Sequence, residues 1–115
     1  MDRRELFECK CGCRGNLIDP RVVTMHQAIE EECLMGDLPV NSGWRCQKHN
    51  KAVGGSPTSS HLRGLAADIG CKSSAQRYEL LRAAMHQGVG RIGIGKNFVH
   101  IDIDRSKDKR VIWLY

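Results

Sequence analysis

A chain of 115 residues has room for one compact core and not for two ordinary domains. With 41% hydrophobic and 27% charged residues and no repeat or low-complexity tract, it excludes a disordered, fibrous or solenoid protein. The formal net charge of +5 favours an anionic partner, whether nucleic acid, acidic lipid or an acidic envelope polymer. No run reaches the roughly 18 apolar residues of a membrane span, and Met1–Leu6 lacks the apolar stretch of a secretory signal. The expectation is one domain over 1–115, made in the cytoplasm, with the cysteine-rich segment 1–15 part of it.

Cys9, Cys11 and Cys13 lie too close together to pair among themselves, so any disulfide must reach Cys33, Cys46 or Cys71. Reduced thiols are expected without an export signal. The Cys-x-Cys-x-Cys run could also hold a structural zinc with a fourth ligand from elsewhere, although such sites usually space their ligands by two or more residues. Buried thiols or a single disulfide are preferred to that alternative.

Asp19-Pro20 reads as a helix cap and first turn, followed by a stripe of Val22, Met25, Ala28, Ile29 and Cys33 that faces a core, with Gly36 as the stop. His26, near the stripe, reads as a satisfied or surface histidine. Leu38–Arg45 reads as a short strand entering a glycine turn, and Val53–Ser60 as a loop that delivers His61. Leu65–Ile69 reads as a buried strand with Asp68 facing away from Ala67 and Ile69. Ser73 or Ser74 caps a second helix, whose inner face is read as Tyr78, Leu81 and Met85 with Leu80, ending near Gly88. Strands follow at Arg91–Gly95, Phe98–Asp104 and Val111–Tyr115, with Arg105–Arg110 as a solvated turn between the last two. Helices and antiparallel strands on one core make an α+β domain.

Strict alternation in Phe98–Asp104 puts His100, Asp102 and Asp104 on one strand face and Val99, Ile101 and Ile103 on the other. A half-buried strand gives the same pattern. His61 and Asp68 converge only if the chain folds back around Gly64, and that spacing is by itself a weak signal. Together the three form a two-histidine, one-carboxylate set that suits zinc and leaves a coordination position open.

The order and spacing of Ser42-Gly43-Trp44-Arg45, His49-Asn50, Val53-Gly54-Gly55, Ser59-x-His61, Gly64-x-Ala66-Ala67-Asp68, Gly93-Ile94-Gly95 and Phe98-Val99-His100-Ile101-Asp102 raise that signal. From about Cys9 onward the chain resembles the zinc D-Ala-D-Ala carboxypeptidases. That group also holds the vancomycin-resistance dipeptidases, phage L-alanyl-D-glutamate endolysins and the Hedgehog fold, and the chain resembles its short single-domain bacterial and phage members. The resemblance implies a Hedgehog/D-Ala-D-Ala peptidase-like fold, a central antiparallel sheet with helices packed on it. It implies zinc (Zn2+) on His61, Asp68 and His100, Arg45 binding the substrate carbonyl and stabilising the oxyanion, and Ser59 binding substrate. Trp44 stands at an aromatic position of the family and is read as core packing, and His49 and Asn50 as structural.

Characterised relatives carry an acidic general base three residues before the last zinc histidine, where this chain has Asn97, and an amide cannot take that proton. Asp102, roughly 6 to 7 Å along the same strand face, is the candidate replacement, directly or through a water. The expected activity is hydrolysis of a peptide bond in bacterial peptidoglycan stem peptide, of the carboxypeptidase or endolysin type, by a monomer acting on the wall after release or on cytoplasmic muropeptides. The alternative is a weak or inactive zinc-bearing binding module of the same fold. A nucleic-acid partner is not expected, because Asp108 interrupts the basic residues of Arg105–Arg110 and no recognition motif occurs.

Overall fold

A computed structural model describes residues 2–115. Its elements are a 3-10 turn (Arg3–Phe7), α1 (Pro20–Glu32), β1 (Val40–Ser42), α2 (Gln47–Ala52), a second 3-10 turn (Ser60–Arg63), β2 (Ala66–Gly70), α3 (Ser74–His86), β3 (Arg91–Ile94), β4 (Phe98–Asp102) and β5 (Val111–Leu114). The strands form one five-stranded sheet in the order β1-β2-β4-β3-β5, antiparallel throughout except where β5 runs parallel to β3. This is the expected α+β architecture.

Local chemistry explains where the helices begin. Asp19 accepts the Arg21 N–H with Pro20 in the first turn of α1, and Ser73 accepts the Gln76 N–H at the start of α3. Val22 and Ile29 of α1 and Leu80, Ala83 and Ala84 of α3 pack against Ala67, Ile69, Ile92, Val99 and Ile101 of the sheet, a shared core with every member buried. His26 lies in this core fully enclosed. Its Nδ1 accepts from Arg3 and its Nε2–H donates to the Leu38 carbonyl, and burial holds its pKa below the usual imidazole value, so it is a neutral, satisfied histidine.

Three expectations need correction, and one element is new. α1 stops at Glu32 rather than Gly36, because Cys33 is already extended at ψ 135°. The inner face of α3 is Leu80, Ala83 and Ala84, whereas Tyr78 and Met85 are exposed; the alanines let the helix approach the sheet closely, and residue size misled the choice of stripe. α2 went unread, since Gln47–Ala52 is short and polar and has no apolar period. Finally, β5 passes β4 and pairs with β3, so the 105–110 segment is a crossover rather than only a solvated turn. His86 meets Glu32 across the α1–α3 contact at 2.6 Å.

The second 3-10 turn places His61, and Gly64 makes that possible. It ends the turn in the left-handed region at φ +70°, and a Cβ there would sit 2.1 Å from the Leu17 carbonyl oxygen. Gly64→Ala is therefore expected to cost roughly 2 kcal/mol or more in chemical denaturation. A cost below about 0.5 kcal/mol, the size of an ordinary surface change, would contradict this packing.

Candidate metal centre

One face of the sheet carries an in-register row, Ser42–Asp68–His100–Gly93–Trp113, drawn from all five strands. Because directly paired residues project to the same side, Asp68 and His100 meet without any loop rearrangement. Gly93 leaves the position beside His100 open, and a Cβ on it would come within 2.6 to 2.8 Å of the Tyr115 and Trp113 rings. Those rings flank His100 with centroids 5.4 Å (Trp113) and 6.3 Å (Tyr115) away. Neither aromatic was singled out in the sequence, since their approach depends on the parallel β3–β5 pairing.

The 3-10 turn brings His61 over this row. His61 Nε2 lies 3.2 Å from His100 Nδ1 and 3.3 Å from Asp68 Oδ1, and His100 Nδ1 lies 2.8 Å from the same carboxylate oxygen. Tetrahedral zinc with bonds of about 2.0 to 2.1 Å spaces its ligand atoms about 3.3 Å apart. Two edges of the triangle match and the third is slightly short, so the donor set fits zinc in size and chemistry. Both histidines and Asp68 are buried.

The tautomers are set from behind. His61 Nδ1–H donates to the Gly43 carbonyl at 2.8 Å, which frees the Nε2 lone pair for a metal. His100 Nε2–H donates to Asp102 Oδ2 at 3.0 Å, which directs Nδ1 toward Asp68 and His61. Asp102 is thus engaged on the side of His100 away from the triangle, and its Oδ1 accepts the Asp104 N–H. That position suits holding the ring better than direct proton transfer at the triangle. Asn97 is exposed in the turn before β4, and its carbonyl accepts from Cys71.

Arg45 follows β1 and its fork is held at three points, Ser42 Oγ at 3.0 Å, Asn50 Oδ1 at 3.1 Å and Asp68 Oδ2 at 3.5 Å. Its side chain is 14% exposed. Ser59 caps the 3-10 turn by accepting the His61 N–H. Trp44 donates its indole N–H to the Leu62 carbonyl and packs on the core, as expected. Asn50, buried beside Gly55, is what the His49-Asn50 motif contributes here, a rigid partner for Arg45. A concavity that Lys72 and Asn97 help to line contains none of the three candidate ligands.

Burial opposes the charged forms of both Asp68 and His100, yet their contacts outweigh it. The hydrogen bond from His100 holds Asp68 far below the usual carboxylate range, and Asp102 and Asp68 raise His100. The His100 Nδ1···Asp68 Oδ1 hydrogen bond lies where a cation would sit.

A second carboxylate braces the turn. Asp104 accepts from Ser60, Arg63 and Ser106, while Lys107 reaches the Thr58 carbonyl and Ser60, so the crossover buttresses the His61 loop instead of being merely solvated. Burial pushes the Asp104 carboxyl up, but the Ser106, Ser60 and Arg63 interactions bring it down to about 2. A depressed carboxylate contributes stability above its unfolded pKa of about 3.9 and loses it as pH falls through the folded value. Asp104→Asn should thus lower stability by roughly 2 kcal/mol at pH 7, with the difference from wild type closing as pH approaches 2. A difference independent of pH in urea titrations would show that charge is not the source.

Compared with protein-family models, the chain matches Peptidase M15 over residues 3–102. A search of curated proteins finds no match.

Proposed function

Because the chain belongs to the peptidase M15 family, whose members are zinc-dependent, we propose that it is a zinc metallopeptidase hydrolysing a peptide bond of bacterial peptidoglycan stem peptide. The observation that carries the metallopeptidase reading is the buried triangle of His61 Nε2, Asp68 Oδ1 and His100 Nδ1, three protein donors with zinc-compatible edges. The substrate class rests on the motif resemblance, and the net charge of +5 suits an anionic wall. The enzyme acts as a monomer, on the wall after release or on cytoplasmic muropeptides, and no helix among the described residues is long and apolar enough to cross a membrane.

When bound, zinc supplies Lewis-acid activation of water and of the scissile carbonyl. The residues do the rest. Arg45, fixed by Ser42 and Asn50, directs a permanent charge at the carbonyl oxygen and stabilises the negative charge that develops there. Asp102 keeps the Nε2 proton on His100 and so holds the ring's ligand geometry. Trp113 and Tyr115 form an aromatic rim beside His100 that shields one side from water. Ser59 orders the turn under His61 and offers its hydroxyl to the substrate backbone.

Asp102→Asn distinguishes positioning from proton transfer. A positioning role predicts a 10- to 100-fold loss in zinc affinity or activity. Abolished turnover with zinc fully retained would instead make Asp102 the general base. The second reading, a zinc-bearing binding module of weak activity, is favoured by one observation: Asn97 stands exposed where relatives carry their acid, and Asp102 is already engaged behind His100.

The deciding experiment is mass-spectrometric analysis of purified muropeptides incubated with the zinc-loaded chain and with the chelated chain. A zinc-dependent new peptide terminus supports the peptidase and names its bond. Retained zinc without any product moves the assignment to the binding module.

A further inference from the structure

We propose that Cys9, Cys11, Cys13 and Cys46 form a second, structural zinc site, separate from the His61/Asp68/His100 centre and independent of the peptidase reading. The four sulfurs lie within 4.8 Å of one another. Cys9 Sγ is 3.5 Å from Cys11 Sγ and 3.7 Å from Cys46 Sγ, and Cys11 Sγ is 3.7 Å from Cys46 Sγ. A tetrahedral zinc–thiolate site with bonds of about 2.3 Å has sulfur–sulfur edges of about 3.8 Å. A disulfide would need about 2.05 Å, and all six cysteines are free. The three edges therefore have the dimensions of a metal-holding face, with Cys13 within reach as the fourth donor.

The backbone is arranged for sulfur acceptors. Gly15 N–H points at Cys13 Sγ (3.3 Å), Cys46 N–H at Cys9 Sγ (3.5 Å) and His49 N–H at Cys46 Sγ (3.3 Å). Three amide donors on three of the four sulfurs favour thiolates and fix their directions, as groups surrounding metal ligands do. The one-residue spacing, shorter than in most structural sites, is accommodated by left-handed backbone at Gly12 (φ +90°) and Arg14 (φ +61°), and the Cys9 N–H closes the loop on the Gly15 carbonyl at 2.9 Å. The remaining cysteines differ: Cys33 and Cys71 are buried in the apolar core, where they pack as small hydrophobic side chains.

Four protein ligands fill a tetrahedral zinc, so the site is closed and structural rather than catalytic. Its position gives it a task. Cys46 follows Arg45 directly and caps α2, Gly15 packs against the Trp44 ring, and the Trp44 N–H donates to the Phe7 carbonyl. The metal would staple the N-terminal segment to the turn that holds Arg45.

The test uses the whole chain. Elemental analysis of the wild type, of Cys11→Ser/Cys13→Ser and of His61→Ala/His100→Ala should give two, one and one zinc per chain. Both serine substitutions fall on exposed positions. In the His61→Ala/His100→Ala background, cobalt substitution should produce sulfur-to-cobalt charge-transfer absorption and strong tetrahedral d–d bands. Cys71→Ser should leave those bands unchanged, and Cys11→Ser should abolish or sharply weaken them. Cobalt without thiolate absorption, bound iron in place of zinc, or non-reducing peptide mapping that shows disulfides among these four cysteines in freshly prepared protein would each overturn the proposal.

Discussion

His61→Ala is expected to strip zinc from the candidate centre and to lower kcat/KM by roughly 1000-fold or more, since the metal is asked for several kcal/mol of the barrier and each tenfold is about 1.4 kcal/mol. Asp68→Asn should do the same with less damage to the fold, because it keeps the shape and removes the charge that draws the cation. The pH dependence gives an independent reading. With Nδ1 facing Asp68 and His61, and Nε2 facing Asp102, metal-free His100 is stabilised as the imidazolium, and its pKa is raised. A raised pKa contributes stability that is complete below the unfolded value of about 6.5 and is lost as pH rises through the folded one. Zinc must displace that Nδ1 proton, so uptake should release protons and the apparent affinity should rise with pH. The difference in thermal stability between zinc-loaded and metal-free protein should accordingly widen from about pH 6 to about pH 8. In the Cys11→Ser/Cys13→Ser background, which lacks the proposed thiolate site, a zinc-induced stabilisation that is flat with pH, or that survives in His61→Ala/Asp68→Asn, would place the stabilising metal elsewhere.

How much of this was legible in the sequence depends on the range of the forces involved. Asp19-Pro20 and Ser73 mark helix starts through hydrogen bonds made within three residues, and the alternation of Phe98–Asp102 marks a strand whose two faces differ. Such local signals survive without knowledge of the fold. The ligand triangle was readable only as a resemblance, since its geometry comes from the Asp68–His100 register and from a left-handed Gly64 packed on Leu17. The parts that eluded the sequence are those that tertiary placement decides. Trp113 and Tyr115 reach His100 because β5 crosses to pair with β3 beside Gly93, and no pattern within 111–115 encodes that partner. Cys46 joins Cys9, Cys11 and Cys13 across the whole first third of the chain, so the run of three could be noticed while its fourth member could not. The α3 face was misread because Tyr78 and Met85 form as regular a stripe as Leu80, Ala83 and Ala84, and only the closeness of the sheet chooses between them.

Arg45→Lys is the second large effect expected, and it separates charge from geometry. Lysine keeps the positive charge but cannot reproduce a planar fork held by Ser42 Oγ and Asn50 Oδ1 while a third nitrogen stays beside Asp68. If Arg45 stabilises the charge that develops on the scissile carbonyl, its loss should resemble removal of an oxyanion donor, a fall in kcat of about 100- to 1000-fold. The fall should lie in kcat more than in KM, because the interaction strengthens in the transition state. Zinc content should remain at the wild-type value, since Arg45 touches Asp68 through Oδ2, whereas Oδ1 faces the histidines. Loss of zinc in Arg45→Lys would recast the residue as a support for Asp68, and near-wild-type turnover would remove it from the chemistry. Gly55→Ala provides the companion test, because its Cβ would meet Asn50 Oδ1 at 2.2 Å and Arg45 Nη1 at 3.0 Å and so displace the fork without altering any charge. It should lower kcat in the same direction with zinc retained, which a purely electrostatic role insensitive to orientation does not predict.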